Sequence, residues 1–156
     1  PPGIPVLAVG VNQSKIAAEN CAKMMKKHEG VTIIGDKNNE AVKKSIDVLK
    51  QFGIPYTFSE NSNKNTVNIE FTYFDEPVEQ EDELVIYCPL IDKDDDIAES
   101  ALNFLKHTSH GLWVGLNNGI NAAIAAVEIL NIDDEYEELL TTYRREMGKK
   151  VLDVNK

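Results

Sequence analysis

The sequence predicts a three-layer α/β fold, with a mostly parallel sheet and a long C-terminal helix. Three observations carry that expectation. Short runs of β-branched and aromatic residues alternate with segments of helical period, the pattern of strand–helix–strand units. Turns containing glycine or asparagine separate the strands from the helices that follow. Near the end of the chain, Tyr136, Leu139, Leu140, Tyr143 and Met147 recur at helical spacing over a span too long for a loop.

In chain order, Pro5 to Val11 (PVLAVGV) reads as a buried strand. Ser14 is placed to cap a helix bearing Ile16, Ala17, Cys21, Met24 and Met25, which closes near Gly30. Val31 to Gly35 is the next strand. Asn38 or Asn39 caps a helix with Val42, Ile46, Leu49 and Phe52 on one face, and Gly53 ends it. Tyr56 to Ser59 is a short strand. In the next one Val67, Ile69, Phe71 and Tyr73 alternate with polar residues. Only polar residues, 60–66, separate these two strands, too few for a crossover helix. They are therefore expected to be antiparallel, with Val67 to Phe74 at a sheet edge.

Leu84 to Cys88 (LVIYC) reads as a central strand, and Asp94 to Asp96 open a helix with Ile97, Ala101, Leu102 and Leu105. Leu112 to Leu116 (LWVGL) is a further strand. Asn121 to Leu130 is almost wholly apolar, so its helix should be buried on most sides. Asp133 is placed to cap the last helix. A sheet of this kind is flavodoxin-like or Rossmann-like.

Composition narrows the function. The chain has 156 residues and a net charge of −10, which argues against a general nucleic-acid or anionic-membrane surface. No run approaches the roughly 18 apolar residues of a membrane span, and no signal peptide is evident. A cytoplasmic protein is expected. Cys21 and Cys88 sit singly in apolar segments and read as buried, reduced thiols. The chain begins Pro1-Pro2, which suggests a piece or a processed form.

An internal repeat is present. VGVNQSKIAAENCAKMM (Val9 to Met25) aligns with VGLNNGINAAIAAVEIL (Val114 to Leu130). Each copy reads as strand, asparagine-bearing turn and alanine-rich helix.

These segments carry a family resemblance. PPGIPVLAVGVNQSKIAAENCAKMM resembles the closing strand and helix of the PurE family, the aminoimidazole ribonucleotide carboxylases and N5-carboxyaminoimidazole ribonucleotide mutases of purine biosynthesis. IIGDKNNEAVKKSIDVLKQFGIPYTFSEN resembles that family's opening unit. LVIYCPL and LWVGLNNGINAAIAAVEIL resemble its closing half. The resemblance covers most of the chain. It implies a tandem protein, with residues 1–29 as the tail of a first copy and 30–156 as a shortened second copy. It also implies a homo-oligomeric or tandem assembly and a phosphoribosyl small molecule as ligand, with no cofactor.

In the family, a Gly-Ser-x-Ser-Asp turn and the helix after it grip the substrate's 5′-phosphate. Here the matching positions are Gly35, Asp36, Lys37, Asn38 and Asn39. Asp36 puts a negative charge where a phosphate would sit, opposing a helix-terminus attraction of only ~0.3–1 kcal/mol. Lys37 offsets part of it. The family's Ser-Ala-His-Arg becomes Ser59-Glu60-Asn61-Ser62, so Ser59 remains while the histidine and arginine are gone. The Gly-Ala-Gly-Gly-x-x-His loop, which supplies the proton-transferring histidine, has no counterpart. Asn117, Asn118 and Gly119 follow a strand and open a buried helix, a second potential anion cradle; Asn12, Gln13 and Ser14 are its equivalent in the first repeat.

No catalytic residue emerges from this comparison. His28, His107 and His110 lie outside the family's motifs and read as surface residues. Asp92, Asp94, Asp95 and Asp96 cluster without the spacing of a calcium loop, so no metal is expected. Trp113 reads as core, and Arg144 and Arg145 as solvated or paired with the chain's excess acid. Three functions stay open: a non-catalytic second copy with a structural or assembly role, a carboxylase or mutase completed by another chain or copy, and a phosphate- or nucleotide-binding module without chemistry.

Overall fold

The computed structural model describes residues 14–73, 78, 82–107 and 110–155. Among them are five helices and five strands: α1 (Ser14–Met25), β1 (Val31–Ile34), α2 (Glu40–Gln51), β2 (Tyr56–Phe58), β3 (Val67–Tyr73), β4 (Val85–Leu90), α3 (Ile97–His107), β5 (Leu112–Trp113), α4 (Gly119–Leu130) and α5 (Glu137–Val154). The strand expected over Pro5 to Val11 lies outside the described residues.

The sheet is parallel throughout, in the order β2-β1-β3-β4-β5. This is the doubly wound order whose switch point lies between β1 and β3. Alternation along the strands divides the side chains between two faces. On one face, Val31, Ile33, Val67, Ile69, Phe71, Ile86, Cys88 and Leu90 pack under α2, α4 and α5 to form the main core. On the other, Tyr87 stacks on Trp113, which meets Phe104 of α3 edge-on. On that face α1 is tied down by Asn20, whose Nδ2 donates to the carbonyl of Gly111.

One expectation is overturned. β2 and β3 are not antiparallel, and β3 is not an edge strand: it lies between β1 and β4, parallel to both. Residues 59–66 make the crossover without a helix. Eight extended residues reach up to ~28 Å, far enough to return to the start of the sheet over β1. A bare loop can cover this face because the face is polar. Thr32 Oγ1 lies 2.6 Å from Thr66 Oγ1. The fully buried Asn68 accepts from the Asn63 amide (2.7 Å) and donates to the carbonyls of Asn63, Thr66 and Leu84. Backbone groups that a helix would satisfy internally are satisfied here by one carboxamide.

Smaller differences have local causes. α2 ends as expected: Gly53, at φ +68°, donates to Lys50 and Ile54 to Leu49, the paired bonds of a Schellman cap. α5 starts later than Asp133 implied, with Tyr136 at its N-cap. Asp134 adopts φ +58° in between, a conformation that interrupts helix. β4 runs on past Cys88 to Leu90, whereas β5 stops at Trp113. Within the described residues α1 runs Ser14–Met25, and α4 begins at Gly119. Cys21 is exposed on α1, not buried, while Cys88 is buried and its thiol pushed up to about 12 by desolvation.

Candidate functional site

Open parallel sheets bind ligands beyond the carboxyl ends of their strands, at the switch point. That place is built here from three strand ends and two helix starts. β1 runs into Gly35, whose φ of +154° and closeness to Phe71 (3.0 Å from an added Cβ) both favour glycine. Asn39 then caps α2, its Oδ1 accepting from Ala41 at 2.8 Å. β2 delivers Ser59 alongside, where its amide donates to the Ile33 carbonyl. β3 delivers Tyr73, whose hydroxyl donates to Asp92 Oδ1 at 3.3 Å. Burial, then the Asp92 charge, raises the Tyr73 phenol above its ordinary range; a side-chain hydrogen bond with Asn39 works against them.

The second turn adjoins the first. Asn117, at φ +53°, clasps Ile91 at both ends: its Oδ1 accepts from the Ile91 amide and its Nδ2 donates to the Ile91 carbonyl. Asn118 caps α4, its Oδ1 accepting from Asn121 at 3.0 Å. Gly119 is buried against the backbone of Ala41 in α2. The two turns, separate in sequence, thus stand side by side.

Their polar groups are turned inward. Asp36 Oδ1 accepts from the Asn38 amide at 2.9 Å, so the carboxylate closes its own turn. Asn39 and Asn118 each occupy an amide at the start of their helix. The Ser59 hydroxyl accepts from the Asn61 amide at 3.1 Å. Donors that would face a phosphate in an open cradle already serve the chain's own side chains. Lys37 and Asn38 are exposed beside them.

Two histidines whose side chains are described sit at the other end of the sheet. His28 precedes the start of β1, and His110 precedes the start of β5. Even β1, with four residues, puts ~13 Å of strand between His28 and the Gly35 turn. His28 is not a surface residue as expected but buried. Burial, then the Lys26 charge, lowers its pKa, and among the described residues nothing bonds its Nδ1. His107 lies at the end of α3.

The acidic run is also internally committed. Asp95 Oδ2 accepts from the Asp92 amide, and Asp96 Oδ1 caps α3 by accepting from Glu99. Among the described residues no group of three or more His, Cys, Asp or Glu side chains is arranged to hold a metal. Two clefts of about 370 and 380 Å³ lie away from the turns. One is between α2 and α5, beside Ile120, Tyr143 and Met147; the other is at the amino end of β1, beside His28, Gly30 and Tyr136.

Sequence reasoning missed Tyr73 as part of this rim. It ends an alternating strand that the short polar link from β2 makes look like an edge, whereas β3 lies inside the sheet next to the switch point. No described helix is long and apolar enough to cross a membrane. No family model and no curated protein matches the chain.

Proposed function

We propose that this chain is a PurE-like domain without a catalytic site of its own, serving a structural role in assembly. The single observation that carries the proposal is the bond from the Asn38 amide to the Asp36 carboxylate. It places a built-in anion where the resemblance puts a substrate phosphate, and it uses a donor that the phosphate would need. The rest of the rim supports the same reading. Proton transfer needs an imidazole or tuned carboxylate within about 3 Å of the reacting group, and His28 and His110 flank the opposite end of the sheet. The purified chain is expected to convert carboxyaminoimidazole ribonucleotide no faster than the uncatalysed background. Turnover by the chain alone would overturn the proposal.

A phosphate-binding role without catalysis is the second reading. One observation favours it: the N-termini of α2 and α4 converge where Gly119 meets Ala41, so two helix dipoles point at one place. Calorimetry with ribose 5-phosphate separates the readings, since micromolar binding would favour the second.

A further inference from the structure

The cleft at the amino end of β1 lies at the opposite end of the sheet from the Gly35 turn, and its volume is about 380 Å³. Small-molecule sites span roughly 300–1,000 Å³. Three connections wall it: the link from α1 to β1, the turn from α2 to β2, and the passage from α4 to α5. Each wall is held by backbone bonds. The Val31 amide donates to the Pro55 carbonyl at 3.0 Å, and the Tyr136 amide donates to Asn131 Oδ1 at 2.7 Å. Lys27 and Asp133 reach towards each other from different walls, 3.7 Å apart, with side chains 80% and 74% exposed. A pair so exposed adds little stability, so it does not lock the cleft shut.

His28 borders this cleft and is only 9% exposed, yet its Nδ1 has no hydrogen-bond partner among the described residues. Buried polar atoms rarely stay unpaired. Burial holds the imidazole below its ordinary pKa, so at neutral pH it is uncharged and offers one nitrogen as an acceptor. Tyr136 lines the same cleft. Burial, then the Glu135 charge, pushes its phenol up, so the hydroxyl keeps its proton. Two perturbed groups in one cleft are a mark of a ligand site.

The remaining lining sets the class of ligand. Pro55, Leu130 and Ile132 supply apolar surface, and Ile132 is 46% exposed. Lys27 and Asp133 offset each other, while Glu29 and Glu135 leave the lining net negative. A phosphate or carboxylate would meet like charge there, whereas an amine meets opposite charge. We propose that this cleft binds a primary amine carried on an aromatic ring system. The ring lies along the apolar wall. The ammonium has three protons to donate; the negative rim holds it, and it gives the orphaned His28 nitrogen a partner. This ligand role is independent of the assembly reading above.

A nuclear magnetic resonance titration of the whole ¹⁵N-labelled chain with tryptamine tests it. Saturable shifts are expected at the amides of Glu29, Gly30 and Tyr136. Indole-3-acetate has the same ring and the opposite charge, and should bind at least tenfold more weakly. Glu29→Gln with Glu135→Gln alters two exposed side chains, and should weaken tryptamine by about tenfold while narrowing its advantage over indole-3-acetate. His28→Leu keeps the bulk and loses the acceptor, and should weaken it too; circular dichroism of each variant guards against unfolding. No saturable shift overturns the proposal. So does equal binding of the two indoles, tryptamine binding indifferent to the glutamate variant, or shifts confined to the other cleft beside Tyr143 and Met147.

Discussion

Gly119 lies so close to Ala41 that a Cβ at position 119 would fall inside the van der Waals envelope of the Ala41 carbonyl oxygen. This approach lets α4 cross α2 at their N-termini and sets the two turns side by side. The obstructing atom is backbone, held within a helix, so it has little room to move.

Gly119→Ala is therefore expected to destabilise the protein, although alanine is the better helix former by about 1 kcal/mol. Overpacking costs ~1–3 kcal/mol, and separating the helices would also disturb the core beneath. Denaturant titration should show a lower midpoint. An unchanged or raised midpoint would mean the helices can part without loss.

Asn68 holds the helix-free crossover, and its side chain bonds four backbone groups. Asn68→Leu should fold poorly or melt well below the parent, because each buried orphan costs ~1–3 kcal/mol. Hydrogen exchange should show early loss of protection over residues 63–68. Parent-like exchange there would assign the crossover's order to something else.

Asp36→Ser should give the Gly35 turn a weak affinity for ribose 5-phosphate that the parent lacks. The change removes a negative charge and frees the Asn38 amide. Calorimetry comparing the two proteins at low salt reads the difference. Equal binding by both would show that Asp36 is not what closes the turn.

Stability should decline as pH falls below about 6.5, the ordinary histidine value. Burial holds the folded His28 imidazole below that value, with the Lys26 charge adding to the effect. The unfolded chain thus takes up its proton first, and the loss continues until the pH reaches the lowered folded-state pKa. Above 6.5 the contribution is flat. His28→Gln should remove this part of the pH dependence; an unaltered slope would assign it to other groups.

The sequence by itself determined the α/β class, the order of helices and strands within the described residues, a cap at Asn38 or Asn39, which the structure resolves to Asn39, and the Gly53 stop. Each rests on local chemistry: side-chain period, a capping oxygen within two residues, a glycine that accepts positive φ. The Gly35 turn and the charge of Asp36 within it were legible for the same reason, since Asp36 and Asn38 are neighbours in the chain. The tertiary structure alone decided the direction of β3. Residues 59–66 look too short and too polar for a crossover until Asn68 and Thr32, which bonds Thr66 34 residues further on, turn one face of the sheet polar. It also decided that His28 is buried and Cys21 exposed, because burial depends on which face of an element meets another element. The meeting of Gly119 with Ala41, which joins the two turns into one rim, came only with the fold: no local pattern encodes a contact between backbones 78 residues apart.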